Sequence, residues 1–373
     1  MAETICLHIG PHKTGSTSIQ ADAFNHRAAL AGRGIDYWSI ARNHSFPLSI
    51  AFAPQAPGDR RMALQKIEFG TRREIRTRLD RDLKTATGRF VLSAERVTLF
   101  PPESLAGLRD FLTGYGPVKL IAYIREPRGW LNSLVLQHLR VGDTLDEALA
   151  AVPTTLYRDR LAAARDVFGP ENMSFRLFDP TRFEGGSLFS DFMAAIGECD
   201  FLVPEELPRN PAVSARAAAI LDAVNRAART AGFKGNARWF NASLRAIGGQ
   251  PFSLPAETME PLIARSGDDI AWASEAVGTD LLSLSAPSGA PPLPEPDPDL
   301  TNLIFELVRD ATRQRARLAS SEGFRLYDED PDMAIRSFTE ALSLLPTMRE
   351  ARHALKALRA GDAKPAPPED AQT

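Results

Sequence analysis

Residues 8–20 read HIGPHKTGSTSIQ and constrain this chain more than any other stretch. They follow a short apolar run, TICLHI at residues 4–9, and lead into a segment with helical spacing at Ile19 and Phe24. A glycine-bearing turn that feeds a helix N-terminus points successive backbone N–H groups, and the positive end of the helix dipole, at one spot. Such a turn is a cradle for phosphate-like anions. Gly10 and Gly15 permit the tight turn and close backbone approach, Ser16 and Thr17 add hydroxyl donors, and Lys13 adds a charge that can follow charge developing on a transferred group.

The runs that accompany this loop set the fold class. RFVLS at 89–93, VKLIAYIR at 118–125 and NMSFRLF at 172–178 are continuous and apolar, and longer helical patterns separate them. Strands of that kind belong to a parallel sheet covered on both faces. Residues 212–278 turn helical and Ala-rich and are expected to pack around the sheet. Six of the 28 prolines fall between Ser285 and Pro298, where missing donors and fixed φ exclude helix and central strand. The expected domains are therefore 1–284, α/β; 285–299, a Pro-rich linker; 300–360, a helical extension; and 361–373, a disordered tail. Within the extension, Ala334, Phe338, Ala341 and Pro346 have the spacing of the second half of a tetratricopeptide repeat. Gly323 and Tyr327 roughly supply the first half. A single repeat cannot bury its own faces. It must pack on residues 300–318, on the α/β part, or on a second copy or another protein, which makes 300–360 a candidate surface for self-association.

Forty-four Lys and Arg against 47 Asp and Glu leave a net charge of -3 over 373 residues, so no global basic field recruits nucleic acid or an anionic membrane. Any anion site must be local, and Lys13 is the only lysine before Lys66. The two cysteines, Cys6 and Cys199, are too few for a disulfide framework and have no metal-type spacing. Residues 1–10 lack the features of a signal peptide, and no run of 18 apolar residues occurs. The expectation is a soluble cytoplasmic protein with no membrane span and no metal site.

The loop departs from the nucleoside-triphosphate pattern G-x-x-x-x-G-K-[ST] in one respect. Gly10 and Gly15 have the required spacing, but Ser16 stands where the lysine belongs, and the charge comes three residues before it, at Lys13. A second anchor is IREPRGWLNS: Arg125 closes a buried strand, Pro127 suits the first turn of a helix, and Ser133 falls about two turns further on. That arrangement lets Arg125 and Ser133 converge on one phosphate at the carboxyl edge of the sheet, where open α/β sheets bind ligands.

With these two motifs in order, the chain resembles the bacterial branch of the sulfotransferases that use 3′-phosphoadenosine 5′-phosphosulfate (PAPS). The resemblance covers roughly residues 1–284, with specific identity confined to the motifs. It implies an α/β, parallel-sheet, P-loop NTPase-like three-layer fold, to which this chain adds a small all-α C-terminal extension. It also implies that Lys13, Thr14, Gly15, Ser16 and Thr17 hold the 5′-phosphosulfate, that Arg125 and Ser133 hold the 3′-phosphate, and that no metal is required. The implied activity is transfer of a sulfuryl group to an acceptor hydroxyl, by family analogy one on a carbohydrate or glycoconjugate. FKGNARW at 233–239 only loosely matches the family's late basic motif. It lacks the second glycine and the Asp, leaving Lys234 and Arg238 as weak candidates.

In the family the base for the hydroxyl proton follows the strand before the Arg-x-Pro strand, and here Glu95 occupies that position. A glutamate can serve if partial burial raises its pKa toward neutrality. His12, inside the loop beside Lys13, is the other candidate. Two readings from other classes stand beside this one. A P-loop kinase or nucleotide hydrolase would need the lysine immediately before the hydroxyl residues, and that lysine is missing. An adaptor acting through its helical C-terminus would have no use for intact motif residues.

Overall fold

A computed structural model describes residues 2–54, 65, 69–199, 213–235, 238–244, 246–287, 289–360 and 363–365. The tail expected to be disordered lies, but for 363–365, outside the described residues. Five strands form one all-parallel sheet: β1 (Thr4–His8), β2 (Ile35–Tyr37), β3 (Arg89–Ser93), β4 (Val118–Ile124) and β5 (Met173–Leu177), in the order β2-β3-β1-β4-β5. The expected α/β class with a helical C-terminal region is what the chain adopts. β2 is the one strand outside the sequence expectation. It has only three residues, too few to declare a period.

The alternation of side chains along each strand buries both faces. Cys6, Val91, Ile121 and Tyr123 share a core cluster with Ile19 and Ala23 of α1 (Ser16–Asn25) and Phe189, Phe192 and Met193 of a later helix, Leu188–Ala195. The other set, including Ile5, Leu7, Phe90, Leu92 and Leu120, is equally sealed from solvent. A sheet buried on both sides is the middle layer of three.

The residues that make the site come from the ends of these strands. In register, His8 is level with Ser93 across the β1–β3 ladder. β1 feeds α1 through residues 9–15, β3 feeds a 3₁₀ turn at Glu95–Leu99, and β4 feeds the helix Pro127–Val141 with Pro127 at its start. All three therefore deliver their loops to one edge.

By contacts the chain divides into two units, and their composition departs from the linear division read from proline spacing. The first comprises Met1–Leu131, Pro153–Arg209 and Ala256–Pro287. The second takes Asn132–Val152 and Asn210–Pro255 from inside the 1–284 span and joins them to Ser288–Thr373. One crossover, at Pro287, coincides with the proline-rich stretch; the others carry no compositional mark.

In the second unit a 29-residue helix, Pro298–Leu326, starts inside the span expected to be linker, with Pro298 in its first turn and the Asp297 side chain accepting from Leu300 N–H. It is followed by Pro331–Leu344 and Arg349–Ala360. Ala334, Phe338, Ala341 and Tyr327 share one core cluster, and a Cβ on Gly323 would lie 2.7 Å from the Phe338 ring, so that helix pair touches at a point only glycine allows. Among the described residues no helix is long and apolar enough to cross a membrane.

An arginine-rich helix, Arg72–Thr85, is opened by a capping box between Thr71 and Glu74. Arg78 and Arg81 pair with Asp82, Lys84 pairs with Asp80, and Arg76 lies over the Phe52 and Phe111 rings. Those cations are engaged in holding the helix.

Candidate active site

The loop after β1 owes its shape to three residues in the left-handed region. Gly10 has φ 36°, Lys13 φ 73° and Gly15 φ 77°. Among the described residues Lys13 is the only non-glycine with positive φ. That conformation is strained for an L side chain, and such strain concentrates at ligand clamps. Thr14 is buried and its hydroxyl donates to the Pro11 carbonyl at 2.7 Å, so its part is to close the turn. Gly15 caps α1 without a side chain, which leaves first-turn N–H groups of Ser16 and Thr17 to the concave side of the loop. A Cβ at Gly15 would fall 2.2 Å from Leu188 and 2.8 Å from Phe178. Only a bare backbone fits there.

Ser16 is 3% exposed, and among the described residues its hydroxyl oxygen has no hydrogen-bond partner. The same is true of Nε2 of His8, whose side chain is fully buried. Both atoms look at one place: a Cβ at Gly10 would lie 2.7 Å from Ser16 Oγ, 3.7 Å from His8 Nε2 and 3.8 Å from Glu95 Cβ. Leaving two buried polar atoms unmatched costs on the order of 1–3 kcal/mol each.

Glu95 and His12 meet across this loop, with His12 Nδ1 3.3 Å from Glu95 Oε2. Burial pushes the Glu95 carboxyl up, but the His12 hydrogen bond, with the His12 and Lys13 charges, outweighs it, and the net displacement is downward. The expectation that burial would carry Glu95 toward neutrality is therefore corrected. Its basicity is set by the histidine and lysine that share the loop.

The second motif is joined to the first. Trp130, on the helix that starts at Pro127, donates its indole N–H to the His12 carbonyl at 3.0 Å. Arg125 lies 5.6 Å from the centre of the Phe178 ring, the same ring that limits Gly15. Burial lowers the Arg125 pKa, and among the described residues no carboxylate forms an ion pair with it. Its guanidinium packs over Gly129, where a Cβ would stand 3.0 Å from Nε and Nη2. Tyr157 holds the Arg125 carbonyl through its hydroxyl at 2.7 Å.

The first unit thus brings together Lys13, Thr14, Gly15, Ser16, Thr17, His12, Glu95 and Arg125. Ser133 is half-buried further along the Arg125 helix and belongs to the second unit. Lys234 also lies in the second unit, on a cavity of about 140 Å³ lined by Phe233, Phe240 and Phe305; the Arg238 side chain is outside what is described.

A sulfotransferase from Alicyclobacillus acidocaldarius has a solved structure similar to this chain at 18% identity. The match covers 76% of this chain and 99% of that one, with a TM-score of 0.45. A likeness of that degree carries no functional inference. No protein-family model matches the chain. No curated protein matches it either. The site's own residues bear the reading that follows.

His8 escaped the sequence reading although it opens the loop. A histidine closing an apolar run reads as core, and its level position with Ser93 appears only once β1 and β3 pair. His138 is held by Asp143 at 2.7 Å, in keeping with a structural role. Among the described residues no group of three or more His, Cys, Asp or Glu is placed to hold a metal ion.

Proposed function

We propose that this protein is a sulfotransferase that moves a sulfuryl group from PAPS to an acceptor hydroxyl, one on a carbohydrate or glycoconjugate. The observation that carries the reading is the loop floor: two buried polar atoms with no partner among the described residues, His8 Nε2 and Ser16 Oγ, both close to Gly10, where even a Cβ would stand 2.7 Å from Ser16 Oγ. The missing lysine before Ser16 and the strained Lys13 favour it over a nucleoside-triphosphate enzyme.

The bound donor supplies an activated sulfuryl group on a phosphate leaving group. First-turn N–H groups of α1, with Ser16 and Thr17, would orient the 5′-phosphosulfate, and Lys13 would offset negative charge growing on the leaving phosphate. Arg125, partly dehydrated and free of a carboxylate ion pair among the described residues, would take the 3′-phosphate. Glu95 would accept the acceptor hydroxyl proton as the new S–O bond forms, and His12 keeps its carboxylate ionised between turnovers. If Glu95 is not the base, His12 is.

Calorimetric titration of the full chain with 3′-phosphoadenosine 5′-phosphate (PAP) and with ATP tests the reading. Tight PAP binding with much weaker ATP binding is expected. The reverse order would transfer the protein to the kinases or nucleotide hydrolases. Binding of neither would leave the adaptor reading.

A further inference from the structure

Ser93 Oγ sits between two buried side chains, accepting from Gln20 Nε2 at 3.2 Å and lying 2.8 Å from His8 Nδ1. With Gln20 supplying one proton, Ser93 has its own hydroxyl proton to give, and its acceptors are His8 Nδ1 and the Tyr37 hydroxyl, which itself donates to the Arg42 carbonyl. Donation to His8 Nδ1 places the ring proton of His8 on Nε2, the atom without a partner among the described residues. The ring is wedged edge-on to Tyr123 and against Phe192, so it cannot turn its Nε2 elsewhere. Burial drives its pKa down to about 4, so the imidazole stays neutral and its Nε2–H is a donor rather than a cation.

We propose that His8 binds an oxygen of the transferred sulfuryl group through Nε2–H, fixed in that tautomer by Ser93 and Gln20, with Ser16 Oγ as the second donor. The inference rests on the sulfotransferase reading and adds to it a binding residue one strand position before the loop. Sulfuryl oxygens carry little charge each and are suited to neutral, preorganised donors whose protons cannot be drawn off. Donors of that kind, aimed at developing charge in a site closed to water, act mainly on turnover.

Two measurements on the full chain test this. In kinetics, H8M should lower kcat/KM for PAPS by roughly 100-fold, while PAP, which lacks the sulfuryl group, binds within about threefold of its original affinity. H8Q, whose amide N–H replaces Nε2–H, should restore most of the loss. Equal damage to PAP binding and turnover, or failure of H8Q to restore activity where H8M has lost it, would make His8 a structural residue and overturn the proposal. So would near-normal turnover by H8M.

Should the variants not fold, the wild-type protein labelled with ¹⁵N-histidine decides. A neutral Nε2–H tautomer near pH 7 is expected, with its N–H signal moving on addition of PAPS and staying put with PAP. An Nδ1–H tautomer, or a signal indifferent to PAPS, overturns the inference. Failure of the wild type to bind PAP at all is a different result: it removes the donor reading and this inference with it.

Discussion

The indole N–H of Trp130 donates to the carbonyl oxygen of His12 at 3.0 Å, so the helix that follows Arg125 pins the loop that carries Lys13. Replacing Trp130 by Phe keeps a ring against Tyr157 and deletes only the donor, leaving a carbonyl to find water or go without. A net loss of about 1 kcal/mol is expected. Thermal melting should fall by a few degrees, and PAP affinity should drop several-fold because the loop is no longer held. An unchanged affinity alongside a lowered melting point would mean the two motifs are packed together but not coupled.

Lys13 sets stability against function. At φ 73° an L side chain costs about 1–2 kcal/mol relative to glycine. Lys13→Gly should therefore raise the chemical-denaturation free energy by a fraction of that, since glycine also gains freedom in the unfolded chain. It should at the same time nearly abolish turnover. Lys13→Ala loses activity without the gain in stability, and comparison of the two by urea denaturation separates the backbone effect from the charge.

These tests also mark what could be read from the chain. The loop and four of the five strands were legible because each is a continuous apolar run or a glycine pattern, signals that survive without tertiary context. Strand Ile35–Tyr37 is too short to carry a period. The direction of the Glu95 shift was not legible because it depends on His12 reaching across the loop to 3.3 Å, a fact of geometry rather than composition. The second unit, gathered from three separate segments, leaves no trace at four of its five boundaries.

Glu95 determines the acid side of the pH profile. Its folded pKa lies below the ordinary glutamate value of about 4.3, held there against burial by the His12 hydrogen bond and the charges of His12 and Lys13. A depressed carboxyl stabilises the fold fully above its unfolded pKa, and that contribution disappears as pH falls through the folded value. Activity that depends on ionised Glu95 should then stay flat from neutrality down to about pH 5, with its acid limb below the usual glutamate range. E95Q should lose at least roughly 100-fold in turnover. An acid limb in the ordinary imidazole range, with E95Q near normal, would move the base to a histidine.

Gly129 controls Arg125. A Cβ there would meet Glu126 Oε1 at 2.0 Å and Arg125 Nε and Nη2 at 3.0 Å, and Glu126 Oε1 already accepts the Gly129 N–H at 2.6 Å. Gly129→Ala must displace the Glu126 carboxylate outright and press the Arg125 guanidinium aside by a few tenths of an ångström. Both are flexible ends of their side chains, so the backbone can stay while the guanidinium shifts. The helix start loses the Glu126 acceptor of the Gly129 N–H, a loss offset by alanine being the better helix former by about 1 kcal/mol. The expected result is a protein that melts near the original temperature but has lost its preference for PAP over AMP, which lacks the 3′-phosphate. Calorimetry with the two nucleotides measures that ratio directly. If G129A keeps the ratio, Arg125 does not contact the 3′-phosphate, and the assignment of that group must pass to another cation.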